Sequence, residues 1–102
     1  MQQPYEIFVT TVLEQAKDIS HQLQVFPNPV NYFLKLTVIP SASISIQSLS
    51  YQLYDINGNL LTTNNIESSE NNIVMSSLTS GTYLLKIIQG NTNLKTFKII
   101  KN

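Results

Sequence analysis

The side chains able to do chemistry in this chain are few, and their spacing suits none of the common reactions. His21 is the sole histidine. It stands at the end of a polar stretch, residues 14–21, with no hydroxyl and carboxylate arranged around it. A Ser-His-Asp site has nowhere to assemble, and His21 reads as a solvated surface side chain. Asp55-Ile56-Asn57-Gly58-Asn59 offers oxygen ligands of the kind a calcium loop uses. Such a loop needs a bidentate Glu at its twelfth position, and counting from Asp55 that position is Ile66. Glu67 and Glu70 could pair as acid and base, but no apolar neighbours would raise either pKa, so they read as loop charges. Cysteine is absent, which removes disulfides, thiolate metal sites and thiol nucleophiles. The three glycines are not grouped, so no phosphate cradle is built from them. The expectation is a protein without catalytic residues, metal or cofactor.

Charge excludes further classes. Six basic and six acidic residues balance to zero, and every basic residue is a lysine. They are scattered along the chain and form no positive stripe of the kind nucleic acid or an anionic lipid surface requires. No window reaches the ~18 apolar residues of a membrane span. Residues 1–6 lack the basic start and apolar run of a secretory leader, so an export signal, if the domain is exported, is expected upstream.

The elements that must position the remaining side chains are strands. The polar residues are mainly Ser, Thr, Asn and Gln, and Val, Ile, Leu, Tyr and Phe recur with period two. Residues 5–13 read as an isolated strand, and 14–21 as either one helical turn or a linker, the linker being preferred for its concentrated charge and weak apolar periodicity. A short strand at 23–26 is stopped by Pro27-Asn28-Pro29. Residues 32–39 alternate, with Leu34, Leu36 and Val38 on one face, until Pro40 ends them. Residues 43–47 alternate Ser and Ile and suit a sheet edge. A strand at 49–56 meets Asn57-Gly58, which predicts a type I′ hairpin turn, and 59–63 return. A polar loop at 64–71 precedes a short strand at 73–75 and a turn at 78–80. Gly81 opens the strand 82–88; a turn at 89–93 leads to the last strand, 94–100.

From Leu23 onward this gives about seven short strands and an all-β fold: an immunoglobulin-like antiparallel β-sandwich. Residues 1–22 form an upstream strand and linker, and 23–102 the sandwich. Leu36, Val38, Leu53, Leu85, Ile87, Phe97 and Ile99 are expected to meet in its core, each worth ~1.5–3 kcal/mol when fully buried. The nine aromatic residues are expected mostly in the core as well, although several on one exposed face would make a sugar-binding platform. The last strand sets Lys95, Lys98 and Lys101 beside Phe97, Ile99 and Ile100. On an edge that combination offers backbone hydrogen bonds, apolar anchors and positive charge to a partner; alternatively the lysines only blunt an aggregation-prone edge.

Three segments in order carry a resemblance. They are Val25-Phe26-Pro27-Asn28-Pro29; then Tyr54-Asp55-Ile56-Asn57-Gly58-Asn59-Leu60-Leu61; then Ile73-Val74-Met75-Ser76-Ser77-Leu78-Thr79-Ser80-Gly81-Thr82-Tyr83-Leu84-Leu85-Lys86-Ile87, with Lys98-Ile99-Ile100-Lys101 closing. Together they resemble the C-terminal sorting domain, type A, of the type IX (Por) secretion system of Bacteroidota. Tyr5-Glu6-Ile7-Phe8-Val9 is similar to the segment that often precedes that domain. The resemblance implies a seven-stranded sandwich that folds in the periplasm and docks on the outer-membrane translocon through its closing strands. It implies that a passenger lies upstream and crosses with the domain, and that a surface sortase then cuts before the domain and anchors or releases the passenger. The implied location is the periplasm in transit, then the cell surface or the medium. The implied partners are translocon and sortase proteins, with no nucleic acid and no membrane insertion, and the isolated domain is expected to be a monomer. The residues it points to are Gly81, Tyr83, Lys98, Ile99, Ile100, Lys101 and Asn102 for translocon recognition, and Pro27, Asn28 and Pro29 for the entrance to the domain. The rival expectation is an immunoglobulin-like binding or spacer module of an adhesin or carbohydrate-active protein, which calls for a concave or aromatic face.

Overall fold

A computed structural model of the chain describes residues 22–102. The upstream strand, the linker at 14–21 and His21 lie outside the described residues. Seven strands follow one another: β1 (Leu23–Phe26), β2 (Phe33–Val38), β3 (Leu49–Asp55), β4 (Leu60–Asn65), β5 (Glu70–Val74), β6 (Gly81–Gln89) and β7 (Thr92–Lys101). They form two antiparallel sheets, one in the order β1-β2-β5 and one in the order β4-β3-β6-β7. The architecture is the expected all-β sandwich.

Period two places the core. Leu34, Leu36 and Val38 of β2 face Leu49, Tyr51 and Leu53 of β3 and Tyr83, Leu85 and Ile87 of β6 in one buried cluster. Leu23, Ile73 and Ile99 join from the flanking strands, and Val30, Ile44, Ile66 and Met75 plug it from connecting segments. Of the core residues expected from the sequence, all are buried except Phe97, which is only partly so. Phe97 sits on the outermost strand of its sheet, where Lys95 lies over its ring at 4.8 Å.

Three local expectations are corrected. Residues 43–47 are not a strand. The Gln89 side chain takes their backbone groups instead: Ser45 N–H donates to Gln89 Oε1 (3.0 Å) and Gln89 Nε2 donates to Ser43 O (3.0 Å). Ile44 then drops into the core and residues 46–48 close as a 3-10 turn. Second, β5 begins at Glu70, inside the supposed loop, because Glu70, Asn71 and Asn72 pair with Thr37, Leu36 and Lys35. Third, the β3–β4 turn is not type I′. Asn57 does not have positive φ; only Gly58 does, at 88°. Gly58 N–H donates to Asp55 O, and Asp55 N–H to Asn59 O. That is the three-residue loop in which a left-handed glycine follows a type I turn. The Asp55 carboxylate selects it by accepting the N–H groups of Asn57 and Asn59 (both 2.9 Å) and Asn59 Nδ2 (3.0 Å).

The aromatic residues divide. Tyr51 and Tyr83 are buried, but Phe26 (45% exposed), Tyr32 (68%) and Phe33 (57%) are not. With Leu34 and Leu36 inward, strand parity turns Phe33 outward beside its partner Val74. Phe26 shares that outer face, with Lys35 6.0 Å from its ring.

Candidate functional site

Among the described residues β7 is an edge strand: one side pairs with β6 and the other has no full strand beside it. Its pairing with β6 sets Gly81 against Lys101, Thr82 against Ile100, Tyr83 against Ile99 and Leu84 against Lys98. The outer side of its C-terminal end is held by the segment that follows β1. Asn28 Nδ2 donates to Lys98 O (2.9 Å), and Ile100 N–H donates to Asn28 Oδ1 (2.9 Å). Val30 N–H then donates to Ile100 O (2.8 Å), and Asn102 N–H to Val30 O (2.9 Å). Asn102 Nδ2 adds a bond to Asn31 Oδ1 at 3.1 Å.

The Asn28 side-chain amide therefore stands where a peptide group of a neighbouring strand would stand, and Val30 continues the pairing as a parallel bridge to Lys101. The prolines fit this arrangement. In an edge segment every second N–H points away from the partner, and proline is tolerated where it does. Val30 presents its N–H to β7, so Pro29, one residue earlier, has no donor to lose on that side. Residues 28 and 98, seventy positions apart, thus make one corner. It contains all ten residues to which the sequence pointed.

Within that corner the side chains differ in what they present. Lys98 and Asn102 are exposed, and Ile100 and Lys101 half-buried. Ile99 is fully buried and offers no surface while the domain is folded. Tyr83 is 6% exposed, and its hydroxyl donates to Thr79 O at 2.7 Å. This is a tyrosine-corner arrangement, a hydroxyl tied to backbone a few residues upstream in a sandwich. Gly81 has φ +155°, and a Cβ built there would meet nothing within 4 Å. What the position demands is torsional freedom rather than space.

Charge is distributed unequally, which the linear order conceals. Lys86, Lys95, Lys98 and Lys101 all lie on β6 and β7, and residues 71–102 contain no acid. Among the described residues the acids are Asp55, Glu67 and Glu70. Glu70 faces Lys35 at 3.8 Å on the other sheet. Asp55 spends its carboxylate on the hairpin, and the donors from Asn59 and Asn57 hold its pKa below the ordinary value. Among the described residues no Asp or Glu pairs with the lysines on β6 and β7; Lys101 Nζ donates to Asn102 O at 2.9 Å. A polar cleft of about 480 Å³ lies elsewhere, between β4 and β5, lined by Tyr51, Asn64, Glu67, Glu70 and Asn71 among others. Among the described residues no group of three His, Cys, Asp or Glu could hold a metal ion, and no helix is long and apolar enough to cross a membrane.

The clamp leaves no local mark in the sequence. Pro27-Asn28-Pro29 signals a rigid start, but nothing local says that Asn28 reaches the far end of the chain. A family model described as a secretion system C-terminal sorting domain matches residues 24–102. No curated protein gives a match.

Proposed function

Because the chain belongs to the family of type IX secretion C-terminal sorting domains, we propose that residues 23–102 are the address label by which an upstream passenger is carried through the outer membrane. The family is a family of signals and not of enzymes. The translocon docks on the corner built by β6, β7 and the clamp. Lys98, Ile100, Lys101 and Asn102 supply the contact surface. Ile99, Tyr83 and Gly81 hold that surface in shape from beneath, and Pro27, Asn28 and Pro29 fix its outer margin. A surface sortase cuts in the polar stretch 14–21, upstream of the sandwich, and the passenger ends on the cell surface or in the medium.

The observation that carries this reading is the family match over 24–102, the span that closes on the edge strand β7. The test is a fusion of residues 14–102 to an exported reporter in a type IX-competent host, with and without residues 98–102. Reporter on the surface only with the intact chain supports the reading; reporter on the surface in both cases, or in neither, refutes it. The exposed Phe26, Tyr32, Phe33 and Val74 favour the second reading, a binding or spacer module. In that case surface display is indifferent to residues 98–102, while loss of these side chains abolishes ligand binding.

A further inference from the structure

We propose that the middle of β7, centred on Thr96, is a strand-addition site for an extended acidic segment of a partner protein. This deepens the sorting reading by naming the chemistry of the partner, and it rests on that reading for its biological setting.

Along an edge strand, residues alternate between presenting their N–H and C=O to the neighbour and presenting them outward. Ile100 N–H and C=O, Lys98 C=O and Asn102 N–H point outward, and the clamp takes all four. By the same parity Lys98 N–H and both backbone groups of Thr96 point outward, and no described residue bonds them. The clamp cannot extend to cover them: Pro27 has no N–H, and the chain before it is β1, which pairs with β2 in the other sheet. Beyond Thr96 the register with β6 shifts at Ile87/Ile88, where Leu94 is passed over before pairing resumes at Ile88–Asn93 and Gln89–Thr92, and the shift breaks the outward alternation. The open stretch is therefore short and bounded at both ends. Three adjacent unpaired groups spaced as in a ladder are matched by another strand and by little else.

Charge then selects the strand. Lys98 pairs with Leu84 and projects from the outer face of the sheet at its open edge; Lys86, the cross-strand partner of Thr96, shares that face but lies one strand further in. Lys95 projects to the other face, its ammonium held over the Phe97 ring at 4.8 Å; Lys86 is held over Tyr54 at the same distance. An incoming strand thus meets positive charge above and below its backbone and no carboxylate anywhere on β6 or β7. Alternating Glu or Asp on both faces of that strand would complement it, whereas a neutral or basic strand leaves these lysines unpaired or repels them.

The probe is a short capped peptide repeating Thr-Thr-Glu-Glu, which sets Glu on both faces of a strand, titrated into the full chain and followed by amide NMR. The expected result is shifts centred on Thr96 and Lys98, fading as salt rises from about 50 to about 300 mM, and absent with a Thr-Lys peptide. Thr96→Pro removes the outward N–H at a position where an edge tolerates proline, and should abolish the shifts. Lys95→Gln with Lys98→Gln leaves the backbone intact and should weaken binding about tenfold, from two exposed charge pairs. Equal binding of the Thr-Lys peptide, shifts away from β7, no binding, or full binding by the double variant would each overturn the proposal. So would concentration-dependent shifts at Thr96 without peptide, which identify the occupant as a second copy of the chain. Failure of the sorting reading is distinguishable: reporter display indifferent to changes at Lys98 and Lys101, with peptide binding intact, leaves a strand-addition site outside export.

Discussion

Replacing Asn28 isolates the contact that ties the two ends of the domain together. Its amide makes two hydrogen bonds to β7, one as donor and one as acceptor, each at 2.9 Å. A hydrogen bond of this kind contributes a net ~0.5–1.5 kcal/mol. Asn28 is exposed, so water reaches the groups left behind and the lower half of the range applies. Asn28→Ala should therefore cost about 1–2 kcal/mol. For a domain of this size that lowers the melting temperature by roughly 5–15 °C. Asn28→Asp is the sharper probe because it keeps size and shape. The carboxylate still accepts from Ile100 N–H but cannot donate to Lys98 C=O, and it sets oxygen against oxygen there. At neutral pH it should be at least as destabilising as alanine. That contact raises the aspartate's folded-state pKa above its unfolded value of about 4, so the variant should regain stability as pH falls through that window and the acid becomes a donor. Thermal melts at several pH values, with hydrogen exchange at the Ile100 amide, read both effects. A melting temperature and an Ile100 exchange rate unchanged in both variants would refute the clamp.

Gly81→Ala should cost about 1–3 kcal/mol, because φ +155° lies where an L side chain is strained. With open space around the Cβ, D-alanine at the same position should restore most of the stability in a melt. Tyr83→Phe should keep the fold and lose about 1 kcal/mol by denaturant titration, the value of the hydroxyl's bond to Thr79 O. Hydrogen bonds from Asn59 and Asn57 hold the Asp55 pKa below its ordinary value. The unfolded side chain titrates near 3.9, so the hairpin's share of stability is fully present above that value and lost as pH falls through the lower folded value. Asp55→Asn should flatten this acid limb in melts between about pH 5 and 2, and an unchanged limb would show that Asp55 is not its source.

Most of the architecture was legible because β2, β3, β6 and β7 write their parity openly. Leu34, Leu36 and Val38, then Leu85 and Ile87, fall on one face with polar or half-buried residues between them. What escaped was decided by groups far away in sequence. Ser and Ile alternate at 43–47 as in a strand, yet Gln89 supplies the hydrogen bonds a neighbouring strand would have given. Asn57-Gly58 signals a turn correctly and its type wrongly, because Asp55 rather than the dipeptide decides the backbone. Phe33 and Phe26 look like core residues by size and face outward by register. At the candidate site the closing strand and its lysines were legible. The clamp was not, since an asparagine acting as a peptide group leaves no local pattern, and neither was the clustering of lysines that the β6–β7 hairpin creates.

Deleting residues 98–102 also removes the partners of Asn28 and Val30, so it disturbs folding together with recognition. Charge reversal at the exposed positions separates the two. The decisive measurement is protease-accessible reporter on the surface of a type IX-competent host, carried by residues 14–102 with Lys98→Glu and Lys101→Glu, after a melt has shown the doubly substituted domain to be folded. Recognition through this corner requires surface reporter to fall to the level of a fusion lacking the domain, with the protein retained in the periplasm. Undiminished reporter on the surface from a folded, charge-reversed domain would show that the translocon does not read the closing strand.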